Sequence, residues 1–123
     1  MPQNPVCWFE IYVQDMPRAR AFYEGVLQVK LEPLPGGLAD YYTFPSDMAQ
    51  PGTSGAICRM EGVPSGGNGT LVYFSCRDAA VEAGRVEAFG GKIFKPKFSI
   101  GEFGFIALAQ DPDGNMFGLH SLA

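Results

Sequence analysis

Two stretches of the chain have the aromatic and β-branched character of buried strands, and an aspartate follows each of them directly. The first is residues 6–14 (VCWFEIYVQ), which precede Asp15, and the second is residues 71–77 (LVYFSCR), which precede Asp78. Aspartate is a favoured helix N-cap because its carboxylate accepts hydrogen bonds from the first free backbone amides. The pattern therefore predicts a strand followed at once by a helix, twice in the chain.

Apolar residues recur at helical spacing after each aspartate. The first predicted helix has Pro17 in its first turn, where the missing N–H removes no hydrogen bond, and the Gly90-Gly91 pair is predicted to end the second helix. The apolar face of the first helix consists of Ala19, Phe22, Tyr23, Val26 and Leu27. The weaker stripe of the second consists of Ala79, Ala83, Val86 and Phe89.

Three further strand-like runs follow each predicted helix. They lie at about residues 29–34, 39–44 and 54–60 in the first half, and at about 92–98, 103–109 and 115–120 in the second. Turn residues separate them at 35–37, 50–52, 100–101 and 111–114. The repeat predicts an α+β fold of two βαβββ modules, about residues 1–62 and 69–123, joined by a glycine-rich linker.

Composition and charge argue against a nucleic-acid partner and a membrane span, and they indicate a cellular compartment. The net charge of −4 over 123 residues argues against nucleic-acid binding, and Lys92, Lys95 and Lys97 are better explained as a solvated edge strand than as a phosphate site. No segment has the apolar length of a membrane span, and the N-terminus lacks the pattern of a signal peptide. The odd cysteine count, without a metal-binding spacing, predicts reduced thiols and a cytoplasmic protein.

The order of these motifs resembles the vicinal oxygen chelate superfamily, which comprises glyoxalases, bleomycin resistance proteins and extradiol dioxygenases. WFEI near the start together with GLHS near the end is similar to a bacterial group described as predicted relatives of lactoylglutathione lyase. The resemblance rests on residues 8–11 (WFEI), Asp15, residues 21–23 (AFY), Gly90-Gly91, residues 111–115 (DPDGN) and residues 118–120 (GLH).

The resemblance implies that each module forms a curved half-barrel sheet and that paired half-barrels enclose a small-molecule cavity, often across a homodimer interface. In metal-dependent members, four side chains from the first and last strands of both modules hold one divalent ion, which acts as a Lewis acid. The corresponding positions here are Trp8, Leu71 and Gly118, with the fourth near residues 56–58 (AIC). Because none offers a carboxylate or an imidazole, we expect no metal, no other cofactor and no metal-dependent lactoylglutathione lyase activity.

Alternation of side chains along the strands gives the candidate site. If Trp8 faces the cavity, Glu10 and Tyr12 face it too, and the predicted ligand-binding wall is Trp8, Tyr12, Leu71, Tyr73, Ser75 and Met116. Glu10 is either a general base or ligand-binding acid, or a structural partner of an arginine or a backbone amide. His120 is either a general acid/base or a hydrogen-bonded group at a strand end.

Three function classes follow from this reasoning. The first is a metal-independent binding protein of the bleomycin-resistance kind, and the second is a lyase, isomerase or related enzyme in which Glu10 or His120 moves a proton on a small carbonyl compound. The third, a subunit with only a protein partner, has no supporting motif. We also expect a homodimer, because the open faces of two modules would otherwise expose aromatic side chains together. The alternative is a closed monomer in which the two modules of one chain pair, which the glycine-rich linker would allow.

Overall fold

The computed structural model describes residues 4–36, 39–47, 49 and 52–123. The chain divides into two compact units. Module one is Trp8–Thr70, and module two combines Leu71–Ala123 with the N-terminal segment that ends at Cys7. The elements in chain order are β1 Val6–Tyr12, α1 Met16–Leu27, β2 Glu32–Pro33, β3 Asp40–Thr43, β4 Ser54–Arg59, β5 Thr70–Ser75, α2 Ala79–Ala83, β6 Lys92–Ser99, β7 Phe105–Gln110 and β8 Met116–Ser121.

Each module has the same internal topology. In module one the strand order is β2-β3-β4-β1, with β1 parallel to β4 and the other pairs antiparallel. In module two the order is β5-β8-β7-β6, with β5 parallel to β8 and the other pairs antiparallel. A parallel pair needs a crossover, which the helix after the first strand supplies. The predicted α+β class with two βαβββ modules is confirmed.

The two helices begin where the sequence predicts. Asp15 accepts a hydrogen bond from the Arg18 amide at 3.0 Å, and Asp78 accepts one from the Ala80 amide at 3.0 Å. Each carboxylate satisfies a backbone N–H that has no partner within the first helical turn. Both N-cap predictions are confirmed, and so is the proline in the first turn of α1.

Module one packs its core between α1 and one face of its sheet. The buried residues of this core are Val13, Met16, Leu31 and Ile57. Partly buried side chains surround them: Ile11, Ala19, Tyr23, Val29, Tyr42 and Phe44. The predicted apolar face of α1 is only half correct, since Phe22, Val26 and Leu27 are more than half exposed.

The second helix is shorter than predicted, and Phe89 is not part of its buried face. α2 ends at Ala83, with Gly84 as its C-cap, and a separate 3-10 turn covers Glu87–Phe89. Phe89 is 79% exposed. The expectation treated the stripe as one continuous helix, whereas the chain leaves α2 after Gly84 and forms a separate 3-10 turn.

The strand predicted at 29–34 is reduced to the two residues of β2. Gln28 caps α1 in the left-handed conformation (φ 55°), and the Leu31 amide donates to the Glu24 side chain at 2.9 Å instead of to a neighbouring strand. Pro33 has no N–H to extend the ladder. The connection out of α1 therefore takes up most of the predicted strand.

The remaining strands match the predicted runs closely. β7 begins at Phe105, two residues later than predicted, because a 3-10 turn covers Gly101–Phe103. The predicted turn at 111–114 is present, with Asp111 accepting from the amides of Asp113 and Asn115. Parts of the turns predicted at 35–37 and 50–52 lie outside the described residues. Among the described residues, no helix combines the length and apolar character needed to cross a membrane.

Candidate functional site

The sheet face of module one that points away from α1 carries a group of aromatic and polar side chains. Ile11, Ile57 and Tyr42 pack toward α1, so their strand neighbours point to the opposite face. Strand register arranges these neighbours in three rows. We call them the helix-distal face: Trp8 beside Ser54; Glu10 beside Ala56 and Thr43; and Tyr12 beside Cys58 and Tyr41.

Glu10 is the centre of this face. Its side chain is buried, with 6% of the residue exposed. The indole Nε1–H of Trp8 donates to one carboxylate oxygen at 3.1 Å, and the hydroxyl of Tyr12 donates to the other at 2.9 Å. Both donors lie two residues away on the same strand, so strand geometry alone brings them to the carboxylate. Both donors are neutral groups, and together they hold the carboxylate in one orientation.

The Glu10 carboxylate also affects two further groups on this face, the Tyr41 hydroxyl and the Cys58 thiol. Burial raises the pKa of the Tyr41 hydroxyl, and the nearby Glu10 carboxylate raises it further. Burial and Glu10 likewise raise the pKa of the Cys58 thiol, against the smaller opposite effect of a hydrogen bond with Tyr12. Tyr41 and Cys58 therefore stay protonated at neutral pH and are neutral hydrogen-bonding groups, not nucleophiles.

The corresponding face of module two is organised around a glycine. Phe74, Cys76 and Leu119 pack toward α2, so Tyr73 and Gly118 point to the opposite face. These two are register partners, and a Cβ at position 118 would overlap the Tyr73 ring. The ring of Tyr73 therefore lies directly on the β8 backbone, in the space that a side chain at 118 would need.

His120 lies one step further along the same face of β8. One ring nitrogen, Nε2, is 2.7 Å from the carbonyl oxygen of Phe103. A carbonyl can only accept, so this nitrogen carries the proton and donates to the 3-10 turn before β7. His120 thereby ties that turn to β8, and Nδ1 is the ring nitrogen left for any proton transfer.

The residues at the four metal-ligand positions do not fit a divalent ion. Register identifies the fourth position, because Ala56 lies beside Glu10 in module one as Gly118 lies beside Tyr73 in module two. The set is then Trp8, Ala56, Leu71 and Gly118, none of which is a side-chain ligand for a divalent ion. The Trp8 N–H is engaged with Glu10, and the Tyr73 ring fills the space at Gly118. In the described parts of the chain, no three His, Cys, Asp or Glu side chains converge on a common point.

The structure brings some of the predicted site residues together within each module. Trp8, Glu10 and Tyr12 form one hydrogen-bonded group in module one. In module two, Leu71 and Tyr73 are buried, and Ser75, Met116 and His120 are half-buried on the corresponding face. Their roles in catalysis or ligand binding remain predictions.

Sequence reasoning missed Tyr41 and Cys58. Tyr41 and Cys58 lie on predicted strands. Alternation within a strand shows which residues share a face, but it does not show which of the two faces lies on the same side of the sheet as Glu10. Register supplies that information, since Cys58 is paired with both Tyr12 and Tyr41. The sequence did contain one indication: Tyr41 and Tyr42 are neighbours on a strand, so one of the two rings had to point away from the core.

Comparison with known proteins places these features in context. The family model of the Glyoxalase/Bleomycin resistance protein/Dioxygenase superfamily matches residues 6–119. No curated protein matches the sequence.

Many solved structures are similar in fold. A hypothetical protein from Bacillus halodurans C-125 has a TM-score of 0.68 at 13% identity, covering 94% of this chain and 92% of that one. A variant of Streptomyces coelicolor methylmalonyl-CoA epimerase, in complex with 2-nitronate-propionyl-CoA, has a TM-score of 0.65 at 15% identity and covers 97% of both chains. A superfamily member from Vibrio splendidus 12B01 has a TM-score of 0.61 at 20% identity, covering 92% and 95%. At these identities the likeness establishes the fold alone.

Proposed function

Because this chain belongs to the glyoxalase/bleomycin resistance protein/dioxygenase superfamily, we propose that it binds a small organic molecule without the four-ligand metal site of the metal-dependent members. The observation that carries the proposal is the buried Glu10 carboxylate, fixed by Trp8 and Tyr12 on the helix-distal face of module one. Burying a carboxylate costs free energy, so its presence in the middle of an aromatic strand calls for a reason. Since two donors fix its orientation, it is suited to recognising a specific polar group of a ligand.

The character of the four family positions supports the metal-free part of this proposal. Tryptophan, alanine, leucine and glycine have no side-chain atom that binds a divalent ion. Small-molecule sites are mostly apolar, with a few fixed polar groups that orient the ligand. The Streptomyces epimerase, a fold relative whose structure contains 2-nitronate-propionyl-CoA, supports a small molecule as the ligand class.

A ligand screen on the full chain tests this function. Trp8 is the only tryptophan, so its fluorescence reports directly on the environment of Glu10. We expect at least one member of a small-molecule library to change that fluorescence saturably, and Glu10→Gln to weaken its binding about tenfold or more, the loss typical of a buried hydrogen bond to a charge. The matched control Glu61→Gln removes the same charge from an exposed turn and should bind normally.

Titration with Zn²⁺ and Ni²⁺ tests the metal-free part. Calorimetry should detect no stoichiometric high-affinity site. Tight one-to-one binding of either ion would contradict the proposal, and so would a ligand whose affinity is unchanged by Glu10→Gln.

The second candidate function is proton transfer on a small carbonyl compound, as in a lyase or isomerase. The observation that favours it is the same oriented carboxylate, with Glu10 as the base and His120 as the alternative acid/base through Nδ1. Solvent deuterium incorporation into any ligand found by the screen distinguishes the two functions. Exchange that disappears in Glu10→Gln supports the enzyme, and binding without exchange supports the binding protein.

The same proposal extends to the assembly and its setting. We place the protein in the cytoplasm as a homodimer. The cysteines Cys7, Cys58 and Cys76 are free thiols, as a reducing compartment would maintain them.

A further inference from the structure

The edge strand β6 is irregular, and the irregularity decides where its lysines point. Alternation along a regular strand would place Lys95 and Lys97 on the same side of the sheet. The pairing of β6 with β7 instead shifts register between Ile93 and Lys95, and again between Lys95 and Phe98. A bulge adds a residue to one strand and redirects a side chain. Lys97 donates to Asp78 at the start of α2, whereas Lys95 turns to the opposite face.

Register identifies the face that Lys95 occupies. Ala107 packs toward α2, so its strand neighbours Ile106 and Leu108 point away from α2. Lys95 is the register partner of Leu108, and Phe98 is the register partner of Ile106. All four therefore lie on the face of module two opposite α2. We call these four residues the Lys95 patch.

The members of the Lys95 patch are close neighbours. Lys95 Nζ lies 4.5 Å from the centre of the Phe98 ring. Neighbouring strands are about 4.8 Å apart, so a ligand with one six-membered ring spans from Lys95 to Leu108. Lys95 is exposed, Phe98 and Leu108 are half-buried, and Ile106 is buried beneath them. The patch therefore presents one cation directly beside accessible apolar surface.

The charge of Lys95 has no carboxylate partner among the described residues. The ion pairs there join Lys97 with Asp78 and Arg20 with Glu24. The ring of Phe98 attracts the ammonium group, but an ammonium has three N–H donors, so donors are left for a ligand. The other described residues that register places on this face of β6, β7 and β8 are not acidic: Lys92, Gln110, Met116, Gly118 and His120.

We propose that the Lys95 patch binds a small organic carboxylate, with the carboxylate on Lys95 Nζ and the apolar part against Phe98 and Leu108. Charge complementarity selects the anion, and the apolar neighbours select an organic acid over an inorganic anion. The inference goes beyond the proposed function, because it assigns a separate site on module two that does not depend on Glu10.

Four probes test the two parts of this recognition. Cyclohexanecarboxylate is the expected ligand, cyclohexanecarboxamide is its neutral isostere, cyclohexylmethylammonium reverses the charge, and acetate lacks the ring. Amide chemical shifts of the full chain, followed by nuclear magnetic resonance, give both the affinity and the location. We expect the ring carboxylate to shift the amides of Lys95, Phe98 and Leu108 saturably. It should bind about threefold to fivefold more tightly than the amide, the range of an exposed ion pair, and added salt should reduce that ratio.

Variants on the same strand locate the effect. Lys95→Gln should bring the carboxylate and the amide to equal affinities, whereas Lys95→Arg, which keeps the charge, should preserve the preference. Lys92→Gln is the matched control, because it removes the same charge from β6 at an exposed position outside the Lys95 patch. Its ratio of affinities should equal that of the native chain.

Several results would overturn the site. They are equal affinity for the carboxylate and the amide in the native chain, preferential binding of the ammonium compound, and acetate binding as tightly as the ring carboxylate. Equal weakening by Lys92→Gln and Lys95→Gln, shifts confined to other residues, or no saturable shift would also overturn it.

The same measurements separate this site from the proposed function. If the ring carboxylate shifts the Lys95 patch while no library member changes Trp8 fluorescence, the Lys95 site stands and the proposed function fails. If a library member binds in a way that depends on Glu10 while the patch shows no preference for the carboxylate, only the proposed function stands.

Discussion

At the scale of single residues, the contact between Tyr73 and Gly118 determines what the face of module two opposite α2 can hold. The ring lies on the glycine backbone, so any side chain at 118 must displace it. Phe9 and Gly55 show the same arrangement in module one, on the face that packs toward α1. In both modules a glycine on the last strand accommodates an aromatic ring from the first.

Gly118→Ala should therefore destabilise the protein by about 1–3 kcal/mol, the usual cost of overpacking a filled site. In a Tyr73→Ala background the same substitution should cost much less, since the overlap is gone. Urea unfolding of the four proteins of this double-mutant cycle measures the coupling. If the effects of the two substitutions on the free energy of unfolding were additive, the position of the Tyr73 ring would not require a glycine at 118.

Gly25 provides the matched control for that cycle. It lies in α1, and no atom lies within 4 Å of the position that a Cβ would take. Gly25→Ala should stabilise the protein by about 0.5–1 kcal/mol, because alanine loses less backbone entropy in a helix.

At the scale of elements, Asp78 connects α2, β6 and the C-terminal end of module two. Its carboxylate caps α2 and accepts a hydrogen bond from Lys97 Nζ at 2.8 Å, and Lys97 also donates to the carbonyl of Ala123 at 2.9 Å. The Lys97 bond, and then the Ala80 amide, hold the pKa of Asp78 below its ordinary value of 3.8. One ion pair thus links the beginning of α2 to an edge strand.

A lowered pKa makes this contribution to stability dependent on pH in a definite direction. The unfolded chain binds a proton at Asp78 more readily than the folded chain does, so the contribution is present above about pH 4 and is lost as the pH falls through the lowered pKa. Asp78→Asn keeps a good N-cap and removes only the charge. Urea unfolding midpoints of the native chain and Asp78→Asn, from neutral pH to about pH 3, should therefore converge as the pH falls; parallel curves would contradict the role of the pair.

The elements also show how much of this structure the sequence could predict. N-cap chemistry is a local property, so both helix starts followed directly from the sequence. The end of α2 depends on the hydrogen bonds that the Gly84 amide makes. The shortening of β2 depends on the hydrogen bond from the Leu31 amide to the Glu24 side chain. Those partners are set by tertiary packing, which strand and helix periodicity do not contain.

The candidate site divides in the same way. Trp8, Glu10 and Tyr12 follow from the alternation of one strand, and the hydrogen bonds among them need nothing else. Tyr41 and Cys58 reach this face through the registers of β3 and β4, which residue order alone does not specify.

At the scale of the whole molecule, the exposed aromatic and aliphatic side chains bear on the assembly. Phe22, Val26 and Leu27 form an exposed stripe on α1, and Phe89 and Phe94 are exposed in module two. Trp8 and Tyr41 add half-buried rings on the helix-distal face. Soluble monomers rarely expose large contiguous apolar surface, so a second chain is the expected cover for part of it.

We predict a two-fold homodimer in which each chain covers the helix-distal face of module one of its partner, and the α1 stripe of Phe22, Val26 and Leu27 stays exposed. Two-fold symmetry is the commonest closed arrangement, and it lets one surface cover itself. Light scattering coupled to size exclusion should give about twice the chain mass of 13.3 kDa across a dilution series. Trp8→Glu places a charge on the face that is covered and should shift the mass toward the monomer, whereas Phe22→Glu on α1 should leave it unchanged. Circular dichroism of both variants checks that they fold. A constant mass of one chain at all concentrations would contradict the dimer. Loss of the dimer in Phe22→Glu but not in Trp8→Glu would place the interface on α1 and leave the helix-distal face of module one exposed in every chain.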